Sequence, residues 1–132
     1  MAINIAGQTL TGNAAPADSP ATKVGRVVFD ATAIVAADSV VVTLGFTPKY
    51  IVWENLTDRI ENRWYEGMAA NSAVNIVAAG TRTLSVTGTN GGFTVCDADG
   101  TPNTAGRSFA ILQNVTLGAI LANKTCTWIA KS

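Results

Sequence analysis

Residues 40–68 constrain the fold of this chain more than any other stretch. They begin with a β-branched run and meet Gly45-Phe46-Thr47-Pro48, after which a strand-like run covers residues 50–55. A polar turn follows, and a second patterned run covers residues 60–66. Runs of this kind, bounded by turn residues, are typical of β-strands. The stretch therefore predicts a strand, a proline-marked corner and a hairpin.

Similar short runs, separated by Gly, Pro, Asn and Asp, occur along the rest of the chain. We predict strands at residues 25–30, 39–44, 49–55, 60–66, 73–78, 81–87, 92–97, 108–113 and 125–130, a turn at 89–92 and one helical turn at 117–123. Many short strands without a long helix are typical of sandwiches and barrels. We therefore expect an all-β fold, a single-domain antiparallel β-sandwich that is jelly-roll-like, with an immunoglobulin-like sandwich as the alternative.

A length of 132 residues suits one domain, and the first part of the chain differs from the rest. Gly, Asn and Pro residues interrupt any long element before residue 24, so we predict an extended N-terminal arm at 1–23 and the sandwich domain at 24–132. One interpretation is a terminus without a fixed partner. The other is an arm that docks on a neighbouring subunit through its few aliphatic side chains, which are Ile3, Ile5 and Leu10.

Charged residues make up only 14% of the chain, against about 25% in typical domains, and the formal net charge is zero. Two interpretations remain open: a surface rich in neutral polar groups, or a surface that is partly buried against another protein. The basic residues are scattered singly, so we expect no direct binding to nucleic acid. No apolar run approaches the ~20 residues of a membrane span, so we expect no membrane association.

The chain offers few groups for catalysis. It contains no histidine, the commonest general base, and nothing in the sequence marks an activated nucleophile. Glycosidase chemistry needs two carboxylates across a cleft, and Glu54, Glu61 and Glu66 lie on the predicted hairpin. Carboxylates alternating with Arg59 and Arg63 on strands more often form cross-strand ion pairs. We therefore expect a protein that is not an enzyme.

The sequence also gives little indication of a metal site. Cys96 and Cys126 lie in apolar runs without a CxxC pair, so we predict two buried free thiols, with a disulfide as the alternative. Asp97-Ala98-Asp99-Gly100 resembles the start of a calcium loop, but its twelfth position is Ser108, where an EF-hand has a bidentate Glu. We interpret it as a polar turn and expect no metal and no cofactor.

The large aromatic residues are candidates for the core and for an interface. Trp53 has the same strand parity as Ile51, which predicts a core position for both. Trp64 and Tyr65 are adjacent and must face opposite sides of their strand, so one of them is expected to be exposed. We predict Trp64 and Tyr65 as the interface aromatics, because exposed aromatic side chains anchor protein contacts and bind sugars.

Three segments together carry a family resemblance. They are Leu-Gly-Phe-Thr-Pro-Lys-Tyr-Ile-Val-Trp-Glu-Asn-Leu-Thr-Asp at 44–58, Trp-Tyr-Glu-Gly-Met at 64–68, and Leu-Ala-Asn-Lys-Thr-Cys-Thr-Trp-Ile-Ala at 121–130. Most of the chain after residue 24 resembles the capsid decoration, or cement, proteins of tailed bacteriophages. The likeness does not cover the arm. It implies a non-enzymatic protein on the outer surface of the virion capsid, which bridges major capsid protein subunits, stabilises the head, and is a homodimer or homotrimer.

Two other functions remain open at this stage. The chain could be a tail-associated or receptor-binding β-sandwich that recognises carbohydrate through Trp64 or Tyr65. A small hydrolase that uses a pair of glutamates is the other alternative.

Overall fold

The computed structural model describes residues 21–32, 39–85, 92–112 and 118–132. These residues form an all-β protein with two antiparallel sheets, and no helix occurs among them. Accordingly, none of the described segments contains a helix that could cross a membrane. The predicted arm contacts Ile3, Ile5 and Leu10 lie outside the described residues, as do residues 33–38 and most of the predicted turn at 89–92.

The described residues contain nine strands in two sheets. Sheet A has six strands in the order β1-β9-β3-β4-β5-β6, and sheet B has three in the order β2-β8-β7. This is the arrangement of a β-sandwich, and the jelly-roll connection pattern stays a prediction. The strands are β1 (Thr22–Val28), β2 (Ser39–Thr43), β3 (Tyr50–Asn55), β4 (Ile60–Tyr65), β5 (Ala73–Ile76), β6 (Arg82–Ser85), β7 (Phe93–Cys96), β8 (Ser108–Leu112) and β9 (Thr125–Lys131).

Two local expectations need correction. Strand β1 begins at Thr22, so residues 22 and 23, which the sequence placed in the arm, pair with Lys131 and Ala130 of β9. The helical turn predicted at 117–123 is wrong over the described residues 118–123, which form turns. Gly118 and Asn123 have φ angles of 63°, which a right-handed helix does not accommodate.

The predicted corner and hairpin are confirmed. The corner after β2 carries the chain from sheet B to sheet A, where the N–H of Lys49 donates to the carbonyl of Lys131 at 2.7 Å. In the hairpin turn, Arg59 has a φ of 58°. The side-chain oxygen of Asn55 accepts the N–H of Asp58 at 3.1 Å, and Asp58 binds Lys124 at 3.1 Å. These polar contacts fix the turn against the start of β9.

The core lies between the sheets and is built around Phe109 of β8. Its ring packs edge-on against Trp53, Phe93 and Trp128, with centroid distances of 6.4, 5.9 and 5.7 Å. Edge-to-face contacts of this kind add to the stabilisation from burial alone. Ile51 and Trp53 are fully buried, which confirms the parity argument from the sequence.

Both cysteines are free and buried, as predicted. The Sγ of Cys126 donates to the carbonyl of Ala119 at 3.4 Å, and the indole N–H of Trp53 donates to the same carbonyl at 2.8 Å. Burial raises the pKa of both Cys96 and Cys126, because a thiolate is poorly solvated in the core. The two thiols therefore act as small apolar core residues.

Candidate functional site

The outer face of sheet A carries an apolar row that crosses the whole sheet. Cross-strand register places one residue from each of the six strands in this row, and five of the six are aliphatic. An aliphatic row on a solvent-facing sheet is unusual, because such faces are normally polar. We name Val24, Ile129, Val52, Val74 and Leu84 the outer apolar row; Arg63 interrupts it on β4.

Much of the outer apolar row is in contact with solvent. Val24 and Leu84, at its two ends, are 66% and 60% exposed, and Ile129 is 38% exposed. Val28, on the same face of β1, is 65% exposed. Contiguous exposed apolar surface mostly marks a site of association with another macromolecule.

Apart from Arg63 and Lys131, the charged side chains of this face lie in the row next to the outer apolar row. Glu54 and Glu61 are direct cross-strand neighbours, and Arg26 and Arg82 occupy the two edge strands in the same row. Among the described residues, neither Arg59 nor Arg63 forms the expected cross-strand ion pair. Arg63 instead donates from Nε to Glu61 two residues earlier on its own strand, at 2.6 Å.

This ion pair also explains how the two glutamates can lie side by side. The hydrogen bond from Arg63 to Glu61, which raises the pKa of the guanidinium, neutralises one member of the Glu54–Glu61 pair. Glu66 lies beyond the far end of β4 and is exposed. The three glutamates that the sequence suggested for hydrolysis are therefore not gathered in one cleft.

The two predicted interface aromatics lie in different surroundings. Trp64 points into the sandwich and is only 7% exposed, whereas Tyr65 is 41% exposed on the outer face. The Tyr65 ring lies 5.2 Å from the Tyr50 ring at an interplanar angle of 47°. The ammonium of Lys131 lies 5.8 Å from the centre of the Tyr50 ring. Tyr65 is therefore the accessible aromatic, and Trp64 belongs to the core.

Trp64 forms part of the wall of a recess at one end of the sandwich. The recess has a volume of about 360 Å³ and opens between the turn after β4 and the loop after β7. Its apolar walls come from Pro48, Trp64, Met68, Val95 and Pro102. Glu66 is the single ionisable residue among those that line it.

The aspartate-rich loop is a hydrogen-bonded turn. Asp99 accepts the N–H of Thr101 at 2.9 Å, and Asp97 accepts the side-chain amide of Asn103 at 3.0 Å. These carboxylates are already used to shape the loop. Across the described segments, no group of three or more His, Cys, Asp or Glu residues is placed to hold a metal ion.

The sequence interpretation missed the outer apolar row. The signal for it was present, because Tyr50-Ile51-Val52-Trp53 has apolar residues at both strand parities, and so has Trp128-Ile129-Ala130. When one face of a strand lies in the core, apolar residues on its other face can bind a partner. Only the register shows that these residues fall in one row.

Comparisons of the chain with family models, curated proteins and solved structures found no match.

Proposed function

We propose that this protein is a non-enzymatic structural component of a tailed-phage virion, which binds the outer surface of the capsid shell. In this role it bridges neighbouring major capsid protein subunits and stabilises the head. The observation that carries the proposal is the outer apolar row, which reaches both edges of sheet A, is interrupted only by Arg63, and is exposed at Val24, Ile129 and Leu84. A rigid sheet with such a face is suited to binding another protein through a large contact area, without a catalytic pocket.

The chemistry of the outer face supports a protein partner. Its charges are of both signs, and Arg63 and Glu61 are already paired with each other. Interfaces between proteins commonly have an apolar centre and a polar rim, and the outer apolar row flanked by Glu54 and Arg26 has this composition. A shell gains stability by mass action from any subunit that binds only its assembled form.

The predicted arm completes the proposal. Ile3, Ile5 and Leu10 contact the capsid or a neighbouring subunit, and residues from Thr22 onward belong to the sheet. A truncation that tests the arm must therefore end at residue 20, because Ala21 already bonds with Ser132 at 2.8 and 2.9 Å. The less invasive test replaces Ile3, Ile5 and Leu10 with serine in the full chain.

The direct test adds purified protein to capsid shells from its own source that lack it. Sedimentation then separates bound from free chains over a range of concentrations. We expect saturable binding, and at least a tenfold weaker affinity when Ile129→Glu and Leu84→Glu place two carboxylates in the outer apolar row. Thr101→Glu, in the exposed loop after β7, is the matched control and should bind like the unmodified protein. Absence of binding by the unmodified protein would contradict the proposed function.

A carbohydrate-binding tail or receptor module is the second candidate, and the Tyr50–Tyr65 pair supports it. Sugars stack on exposed aromatic rings, and Tyr65 is such a ring, whereas Trp64 is too buried to serve. A glycan array would support this candidate if it gave saturable binding that Tyr65→Ser removes. Binding to shells without binding to any glycan would favour the capsid role.

A further inference from the structure

Among the described strands, β1 is an edge of sheet A along its whole length. All seven of its residues pair with β9 on one side, and no strand among the described residues lies along the other side. A long edge strand presents backbone groups that can pair with another strand. Such an edge is therefore a potential site for a second chain.

The hydrogen bonds at the two ends of β1 show which of its backbone groups face outward. Phe29 N–H donates to Lys124, and the carbonyl of Ala21 accepts from Ser132, both at 2.9 Å. Bonded and non-bonded pairs alternate along an antiparallel ladder, so the odd-numbered residues from 21 to 29 bond to β9. The backbone N–H and C=O groups of four residues then point toward the open edge: Thr22, Val24, Arg26 and Val28.

Little on β1 protects this edge. Charged side chains commonly prevent edge strands from pairing, and β1 has two of them, Lys23 and Arg26. Lys23 is turned away, because its ammonium donates to the carbonyl of Thr43 at 3.1 Å across the sandwich. The strand thus presents Val24 and Val28, about two-thirds exposed, around the single charge of Arg26.

We propose that the occupant of this edge is β1 of a second copy of the chain, paired antiparallel about a two-fold axis at Gly25. This register pairs all seven residues of each strand. Val24 lies opposite Arg26 of the other copy, Thr22 lies opposite Val28, and no two like charges face each other. Moving the register by two residues leaves five pairs and, in one direction, places Arg26 opposite Arg26, which destabilises a pair.

The symmetry of the pairing follows from the identity of the two strands. An isologous contact uses the same surface on both copies and closes after two, so it gives a dimer and not a filament. Sheet A then continues into a single sheet of twelve strands, and the two outer apolar rows lie on the same side of it. The dimer is expected whether or not the protein binds a capsid.

The first test measures mass in solution by analytical ultracentrifugation of the full chain. We expect a concentration-dependent dimer. Val24→Pro removes an N–H that faces the open edge and leaves the bonds to β9 intact, so it should raise the dimer dissociation constant at least tenfold. Val24→Ala keeps the N–H and should leave the constant within about threefold. Far-UV circular dichroism checks that each variant is folded.

The second test uses disulfide formation between copies and does not require the proline variant to fold. Chains with Val24→Cys are mixed with chains with Arg26→Cys and oxidised. Opposite residues in a hydrogen-bonded pair lie about 5.5 Å apart at Cα, within the range of a disulfide. We expect a disulfide-linked heterodimer in the mixture and little cross-linking of either variant alone, since Cys96 and Cys126 are buried.

Three results would overturn the proposal. A monomer at all accessible concentrations would show that the edge has no such occupant. A dimer that Val24→Pro leaves unchanged would place the contact elsewhere, with the outer apolar row as the next surface to test. Strong cross-linking of Arg26→Cys chains with one another, and none in the mixture, would contradict the register.

Discussion

Gly25 of β1 lies opposite Trp128 of β9, and the indole ring occupies the space where a side chain of residue 25 would be. A Cβ atom at this position would overlap the ring of Trp128. The ring in turn packs edge-on against Phe109 at the centre of the core. The edge strand and the aromatic core are therefore linked through a residue without a side chain.

This contact predicts that Gly25→Ala lowers the free energy of unfolding by about 1–3 kcal/mol, because Trp128 has to move out of a packed position. The measurement is urea denaturation followed by tryptophan fluorescence. In a Trp128→Leu background the same change should cost less than about 0.5 kcal/mol, since the overlap is gone. Equal costs in the two backgrounds would show that the ring is not the reason for glycine at this position.

Asn55 predicts a second large effect on stability. It is fully buried, and its amide donates to the carbonyl of Gly118 at 2.9 Å and to Asp58 at 3.0 Å. Asn55→Ala leaves a buried carbonyl without its donor, so the free energy of unfolding should fall by about 2–4 kcal/mol. Asn103→Ala removes two hydrogen bonds on an exposed loop, one to Asp97 and one from the N–H of Ala105, and should cost less than about 1 kcal/mol. Similar costs for the two variants in chemical denaturation would contradict the prediction.

Parity along a strand predicted several positions in this fold correctly. Ile51 and Trp53 were expected in the core and are fully buried, and the hairpin strands lie where the alternation placed them. These features depend on neighbours within a few residues, which the sequence shows directly. The adjacency of Trp64 and Tyr65 predicted that the two side chains face opposite ways, but both are large aromatics, so nothing local showed which one is buried.

The outer apolar row depends on pairing between distant strands. Val24 and Leu84 lie in one row of the sheet although 60 positions separate them in the chain, and four other strands lie between them. Several strand orders agree with the same local patterns, because alternation gives the faces of a strand and not its neighbours. The sequence also could not show that Arg63 pairs with Glu61 of its own strand and not with a residue of a neighbouring strand. Residues at i and i+2 share a face of the sheet, just as cross-strand neighbours do.

The different positions of Trp64 and Tyr65 predict that their substitution has very different effects on stability. Trp64→Ala should lower the free energy of unfolding by about 3–5 kcal/mol, the usual cost of removing a buried large aromatic. Tyr65→Ala should cost about 1 kcal/mol or less, since it loses an exposed ring contact with Tyr50. Thermal denaturation distinguishes the two. A large loss for Tyr65→Ala would mean that its ring supports the sheet.

Cys126 predicts a loss of stability in alkaline solution. Burial raises the pKa of its thiol to about 11, from an ordinary value near 9. The folded protein therefore keeps this proton at pH values where the unfolded chain has lost it. The stability from this group is fully present below pH 9 and decreases as the pH rises toward 11, by up to about 2–3 kcal/mol.

The measurement compares the unmodified protein with Cys126→Ala by urea denaturation between pH 8 and 11. At pH 8 the variant should be less stable, because the smaller side chain leaves a cavity beside Trp53 and Ala119. This difference should shrink or reverse as the pH approaches 11, because the variant has no thiol at position 126 to ionise, whereas Cys96 and every other ionisable group are present in both proteins. A difference that stays constant across the range would show that the thiol of Cys126 does not carry the alkaline transition.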